Sequence, residues 1–144
     1  MATDLAPAAL PATRGRRMLA PVATIGGLAL ATLALHLRDP HQHGSWGLCP
    51  SAALGVYCPG CGGLRAVNDL TNGHVGAALS SNLLVTLLIP VASLGLLVWA
   101  LDSWRGRSRR VSRERLRPLL AAVITVLVVF TIARNTGAGA WLAP

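Results

Sequence analysis

Apolar residues fall into three long stretches, separated by glycine-, histidine- or arginine-rich chain. The first covers residues 18–37 and carries no charge; only Thr24, Thr32 and His36 are polar. As a helix, 20 residues rise about 30 Å, the thickness of a bilayer's hydrocarbon core. Pro21 falls in the first turn of that stretch, where proline is tolerated. The second stretch, 83–101, contains Pro90, which kinks a helix or marks a close approach to a neighbour. Residues 75–82 before it are small and polar and read as the outer turns of the same helix or as an interfacial lead-in. The third stretch, 119–133, is short and β-branched. A lone strand cannot satisfy its backbone in lipid, so a helix is expected there, starting near Ser112 and running past Arg134 toward Trp141. The pattern predicts an all-α membrane protein: three transmembrane helices plus a short re-entrant or interfacial helix after the Cys-x-x-Cys loop. Its divisions are a flexible tail (1–17), span one (18–37), a cysteine loop (38–74), span two with its lead-in (75–101), a basic loop (102–118), span three (119–137) and a tail (138–144).

Composition strengthens this reading. Of 144 residues, 53% are hydrophobic and 12% charged, against about 25% charged in ordinary soluble domains. A soluble globule of this make-up would expose large apolar patches. The net charge of +8 comes from 13 basic residues, all of them Arg. Such a balance raises nucleic-acid binding, but the arginines lie beside apolar runs. Three precede the first stretch, and seven (Arg105, Arg107, Arg109, Arg110, Arg113, Arg115 and Arg117) lie between the second and third. With three spans these ten share one face, which makes that face and the N-terminus cytoplasmic. Trp99 and Trp104 then mark the inner boundary, and Trp46, Tyr57 and Trp141 the outer one. The basic loop is expected to meet anionic lipid head groups rather than nucleic acid. A cleaved signal peptide is the other reading of the first stretch, but its apolar core is too long. Gly26-Gly27 favours close helix packing, hence a homo-oligomer or a larger membrane complex.

The chemistry-bearing residues lie in the 38–74 loop. Cys58-Pro59-Gly60-Cys61-Gly62 has the form of a thiolate knuckle, in which proline fixes the turn and glycine permits positive φ. Cys49-Pro50 stands nine residues earlier. The pattern Cys49-Pro50, Gly55, Cys58-Pro59-Gly60-Cys61-Gly62, Arg65-Ala66, Gly73 or Gly76, and Asn82 resembles the small bacterial membrane proteins of the domain of unknown function 2752 family. Arg134-Asn135 also looks like a family feature, and the resemblance covers roughly 40–135. The chain departs from the pattern in having Gly63-Leu64 where Thr commonly precedes the Arg, and Leu83 where Pro often follows the Asn. The resemblance implies an integral protein of the bacterial cytoplasmic membrane, with no assigned reaction.

Three uses of the cysteines stay open on the residues alone. Zinc takes four N/S ligands: Cys49, Cys58 and Cys61 supply three, and His41, His43 or His74 the fourth, with His43 and His74 within reach of a folded-back loop. An oxidising compartment favours a disulfide or a thiol redox pair. The third use is as a plain staple for the loop. The run from Leu64 to Leu70 reads as a short helix, on which Arg65 and Asp69 are one turn apart. Arg134 ends a short apolar run and falls within the membrane, where a charge is paired or functional; Asp69, Asn82 or loop carbonyls are its candidate partners. Asn82 and Asn135 complete the supporting set. No acid lies mid-span, and no nucleotide loop or nucleophilic triad is present. The expectation is a non-catalytic subunit or assembly factor with a structural or metal-binding loop. A membrane thiol–disulfide oxidoreductase and a small transporter or channel element are the alternatives.

Overall fold

The computed structural model describes residues 13–42, 50–107 and 112–143. Those residues are 79% helical and include no strand. In order, the described elements are α1 (Arg14–Leu37), α2 (Pro50–Ala53), α3 (Gly63–Thr71), α4 (Val75–Ser81), α5 (Leu83–Arg105), α6 (Arg113–Arg134) and a 3₁₀ helix (Gly137–Leu142). Three of them, α1, α5 and α6, are long and apolar enough to cross a membrane. The all-α architecture with three candidate spans and added short helices is therefore the observed one, compatible with a multi-pass membrane protein. Cys49 and His43 lie outside the described residues, as does most of the N-terminal tail.

Local chemistry sets the ends of the long helices. Thr13 caps α1, its hydroxyl accepting from the Arg16 N–H at 3.5 Å. Because α1 starts at Arg14, Pro21 sits two turns inside the helix rather than in its first turn. The ring removes one backbone donor there, so the Arg17 carbonyl lacks its i+4 partner. α6 starts at Arg113, well before its apolar run, with Ser112 at its N-cap and Arg113, Arg115 and Arg117 wound into the helix. This adds the length that 15 apolar residues lack. α5 follows Asn82, a single extended residue (φ −162°, ψ 101°) that ends α4 and caps α5. It ends at Gly106, where φ is +70° and the Arg107 N–H folds back to the Asp102 carbonyl at 2.8 Å. That left-handed helix end is natural for glycine.

α1 and α5 pack along one another, and α3 and α4 form a pair that seats on them. The Arg14 guanidinium lies 4.6 Å over the Trp104 ring, which ties the start of α1 to the end of α5 and makes the two antiparallel. α6 differs. Its packing is against the 3₁₀ helix, with no comparable packing on α1 or α5 among the described residues. The burial pattern is inverted relative to a water-soluble domain. Asn68, Asp69, Asn82, Thr86, Asp102 and Arg134 are buried, whereas leucines, valines and isoleucines along all three long helices are exposed. Only 11%, 6% and 0% of the three apolar windows is covered by protein. Lipid is the solvent such surfaces match, and a polar interior is what remains for protein–protein contacts.

Candidate functional site

The cysteine loop gathers at the end where α1 finishes, α5 starts and α6 finishes. Residues 58–61 form a tight turn, with the Cys61 N–H bonded to the Cys58 carbonyl at 3.0 Å and the Gly63 N–H to the Gly60 carbonyl at 2.9 Å. Gly62 has φ +78° and leads into α3; this left-handed position is the conformational reason for a glycine after the second cysteine. The sulfurs of Cys58 and Cys61 are 3.2 Å apart. Cys58 is half-buried and Cys61 buried. The Ser51 hydroxyl, on α2, lies 3.8 Å from the Cys61 sulfur.

Three side chains from two helix ends hold the backbone of this turn. Asn82, fully buried, donates its amide to the carbonyls of Pro59 and Cys61, both at 2.9 Å, while its oxygen accepts from the Val85 N–H at 2.9 Å. One residue therefore caps α5 and clasps the knuckle. Asn135 grips Tyr57 as a pair of strands would: its amide donates to the Tyr57 carbonyl at 2.8 Å and its oxygen accepts from the Tyr57 N–H at 2.9 Å. Arg134, 1% exposed, donates from Nη1 to the Cys58 carbonyl at 2.8 Å and from Nη2 to the Cys61 carbonyl at 3.3 Å. With the two turn bonds, every carbonyl from 57 to 61 has a donor. Buried backbone demands this, because a carbonyl left unpaired away from water is costly.

The Arg134 charge has unusual surroundings. Its guanidinium stands 5.1 Å from the Phe130 ring centre and 5.9 Å from that of Tyr57. Its Nε is buried with no hydrogen-bond partner among the described residues. No carboxylate pairs with it there; of the three partner classes considered from sequence, loop carbonyls are the one observed.

Asp69 is buried for a different purpose. Its carboxylate accepts from the Ser81 hydroxyl at 2.8 Å and lies 3.3 Å from His41 Nε2. It pairs with His41 and not with Arg65, one turn before it on α3. The other ring nitrogen of His41 is 2.8 Å from Asp39, whose carboxylate also accepts the His41 backbone N–H at 2.8 Å. That backbone bond first, and the ring second, hold the Asp39 carboxyl below its usual value. Asn68 donates to the Leu35 carbonyl at 2.7 Å, which ties α3 to the last turn of α1.

Of the metal-ligand candidates, Cys58 and Cys61 are together. His74 is an exposed residue preceding α4, its backbone N–H on the Asp69 carbonyl. Among the described residues no three His, Cys, Asp or Glu side chains converge as a metal site, and no disulfide joins two of them. The proposed third and fourth ligands, Cys49 and His43, lie outside those residues. Sequence reasoning missed Asn68, Ser81 and Phe130. Phe130 had a signal, since it stands four residues before Arg134, on the same helix face.

The segment that carries the knuckle, the Asn82 clasp and the first half of α5 is also the segment that relates this chain to others. Residues 49–96 match the family model described as protein of unknown function DUF2752. The DUF2752 match begins at the first cysteine of the motif and ends inside α5, so it includes Cys58, Cys61, Arg65, Asp69 and Asn82. Arg134 and Asn135, which close the knuckle, lie beyond the matched DUF2752 segment. No curated protein and no solved structure matches the chain.

Proposed function

We propose that this chain is a non-catalytic membrane subunit or assembly factor whose cysteine loop is a structural cap over one end of the helices. The observation that carries the reading is Arg134: a buried cation spent on the carbonyls of Cys58 and Cys61, with the two asparagines completing the grip. Side chains that hold a loop through its backbone build a fixed shape, which suits a docking or assembly element. The cap lies on the extracytoplasmic side of the bacterial cytoplasmic membrane and the N-terminus in the cytoplasm. The basis is that Arg14, Arg16 and Arg17 in the first turn of α1, Arg105 and Arg107 at the end of α5, and Arg113, Arg115 and Arg117 at the start of α6 lie at the opposite end. That basic end meets anionic lipid head groups. The exposed apolar lengths of α1, α5 and α6 leave room for further copies or other membrane subunits.

The test is a series of Arg134→Gln, Cys49→Ser and Cys58→Ser variants in membranes, scored for folded yield, with elemental analysis of the purified wild type. Reduced yield supports the cap. One zinc per chain makes it a metal-bound cap, with Cys49 joining Cys58 and Cys61. Unchanged yield with no zinc removes the reading.

A further inference from the structure

We propose that Cys58 and Cys61 are a redox-active pair that exchanges with a disulfide or dithiol of a partner protein at the same membrane face. Their sulfurs are 3.2 Å apart, so an approach of about 1 Å brings them to bonding distance. The two are unequal: Cys58 is half-buried at the surface and Cys61 is 6% exposed. An exposed attacking thiol with a sheltered resolving thiol is the division of labour that exchange needs. The clamp does not obstruct it. Arg134, Asn82 and Asn135 hold the loop through its carbonyls and through the Tyr57 N–H, so a bond between the sulfurs breaks none of these contacts.

Arg134 supplies the second, independent observation. It is 1% exposed, its Nε has no hydrogen-bond partner, and no carboxylate balances it among the described residues. A buried cation bonded to the carbonyls of both cysteines favours negative charge nearby, and thiolate is the species that attacks a disulfide. The start of α3, immediately after Gly62, adds the positive end of a helix. Arg134 is a positioning residue here, since it acts on the loop and its field rather than on the reacting atoms.

The exchange balances as follows. The Cys58 thiolate attacks one sulfur of the partner's disulfide. A Cys58–partner bond forms, the partner's S–S bond breaks, and the other partner sulfur leaves and takes up the proton Cys58 gave away. Cys61 then gives up its proton and attacks the Cys58 sulfur. The Cys58–Cys61 bond forms, the mixed disulfide breaks, and the second partner sulfur leaves and is protonated. Two electrons have passed to the partner, which is now a dithiol, and the pair is oxidised. A partner dithiol runs the same steps backwards.

The experiment uses the full chain in detergent micelles with Cys49→Ser, equilibrated across ratios of reduced to oxidised glutathione and read by alkylation and intact mass. The expected result is one two-electron transition in which two hydrogens are lost. With Cys61→Ser added, a glutathione adduct accumulates on Cys58. With Cys58→Ser instead, Cys61 is modified about tenfold more slowly, as its burial dictates. Arg134→Gln shifts the equilibrium toward the disulfide by about tenfold, and Arg134→Lys restores part of the shift, with circular dichroism confirming helix content throughout. Absence of a Cys58–Cys61 disulfide at every ratio overturns the proposal, as do equal adduct rates on the two sulfurs. Should Cys49→Ser fail to fold, peptide mapping of the titrated wild type decides: a Cys58–Cys61 linkage supports the pair, and Cys49 bonded to either sulfur overturns it.

Discussion

At the knuckle, five consecutive carbonyls are each met by a donor, and three of the donors are side chains supplied by Asn82, Arg134 and Asn135. Along the shafts of α1, α5 and α6 the side chains are apolar and mostly uncovered. The first region is specific because its polar groups have one good arrangement away from water and leaving any of them unpaired is costly. The second is permissive, because lipid accepts one apolar side chain as readily as another. Structure in this chain is concentrated where polarity is buried.

Substitutions probe that contrast directly. Arg134→Ala is expected to have the largest effect, about 2–4 kcal/mol of stability, because two hydrogen bonds from a charged donor are lost. Thermal unfolding in micelles measures it. Asn82→Ala follows at about 2–3 kcal/mol, combining a lost helix cap with two lost loop bonds; faster amide exchange in residues 57–61 should accompany it. Gly62→Ala should cost about 1–2 kcal/mol, since a side chain must then adopt positive φ, and is read by the same melts. A lipid-facing exchange such as Val128→Leu should change stability by no more than about 0.5 kcal/mol. If it cost as much as Arg134→Ala, the contrast would fail.

Acid should act through Asp39, the partner of His41. The Asp39 carboxyl is lowered from 3.8 by the His41 bonds. Its contribution is therefore present above the unfolded value and is lost as pH falls through the lower folded value. Near neutrality that contribution should be full and independent of pH, so an Asp39→Asn variant should be less stable than the wild type there and converge with it in strong acid. Melts across pH 2–7 check the sign.

The three spans were legible because apolar runs of bilayer length admit few alternatives, and the knuckle because Cys58-Pro59-Gly60-Cys61-Gly62 is locally determined. Asn82, Arg134 and Asn135 were picked out by motif and by Arg134's position in an apolar run. Their bonds were not, since a buried guanidinium can pair with a carboxylate or with carbonyls, and only folding decides. Asp69 illustrates the same limit: spacing offered Arg65, but His41 reaches it from the preceding loop. The position of Pro21 was misread for another reason. Helix ends follow hydrogen bonding, and α1 winds through its arginines rather than stopping where hydrophobicity does.

Arg134 stands 76 residues after Cys58 in the chain. While the protein is being synthesised, the Tyr57 carbonyl thus waits for Asn135, and the Cys58 and Cys61 carbonyls for the charged half of their bonding, until α6 has been made. Completion of the turn therefore reports that α6 has been made and has reached it.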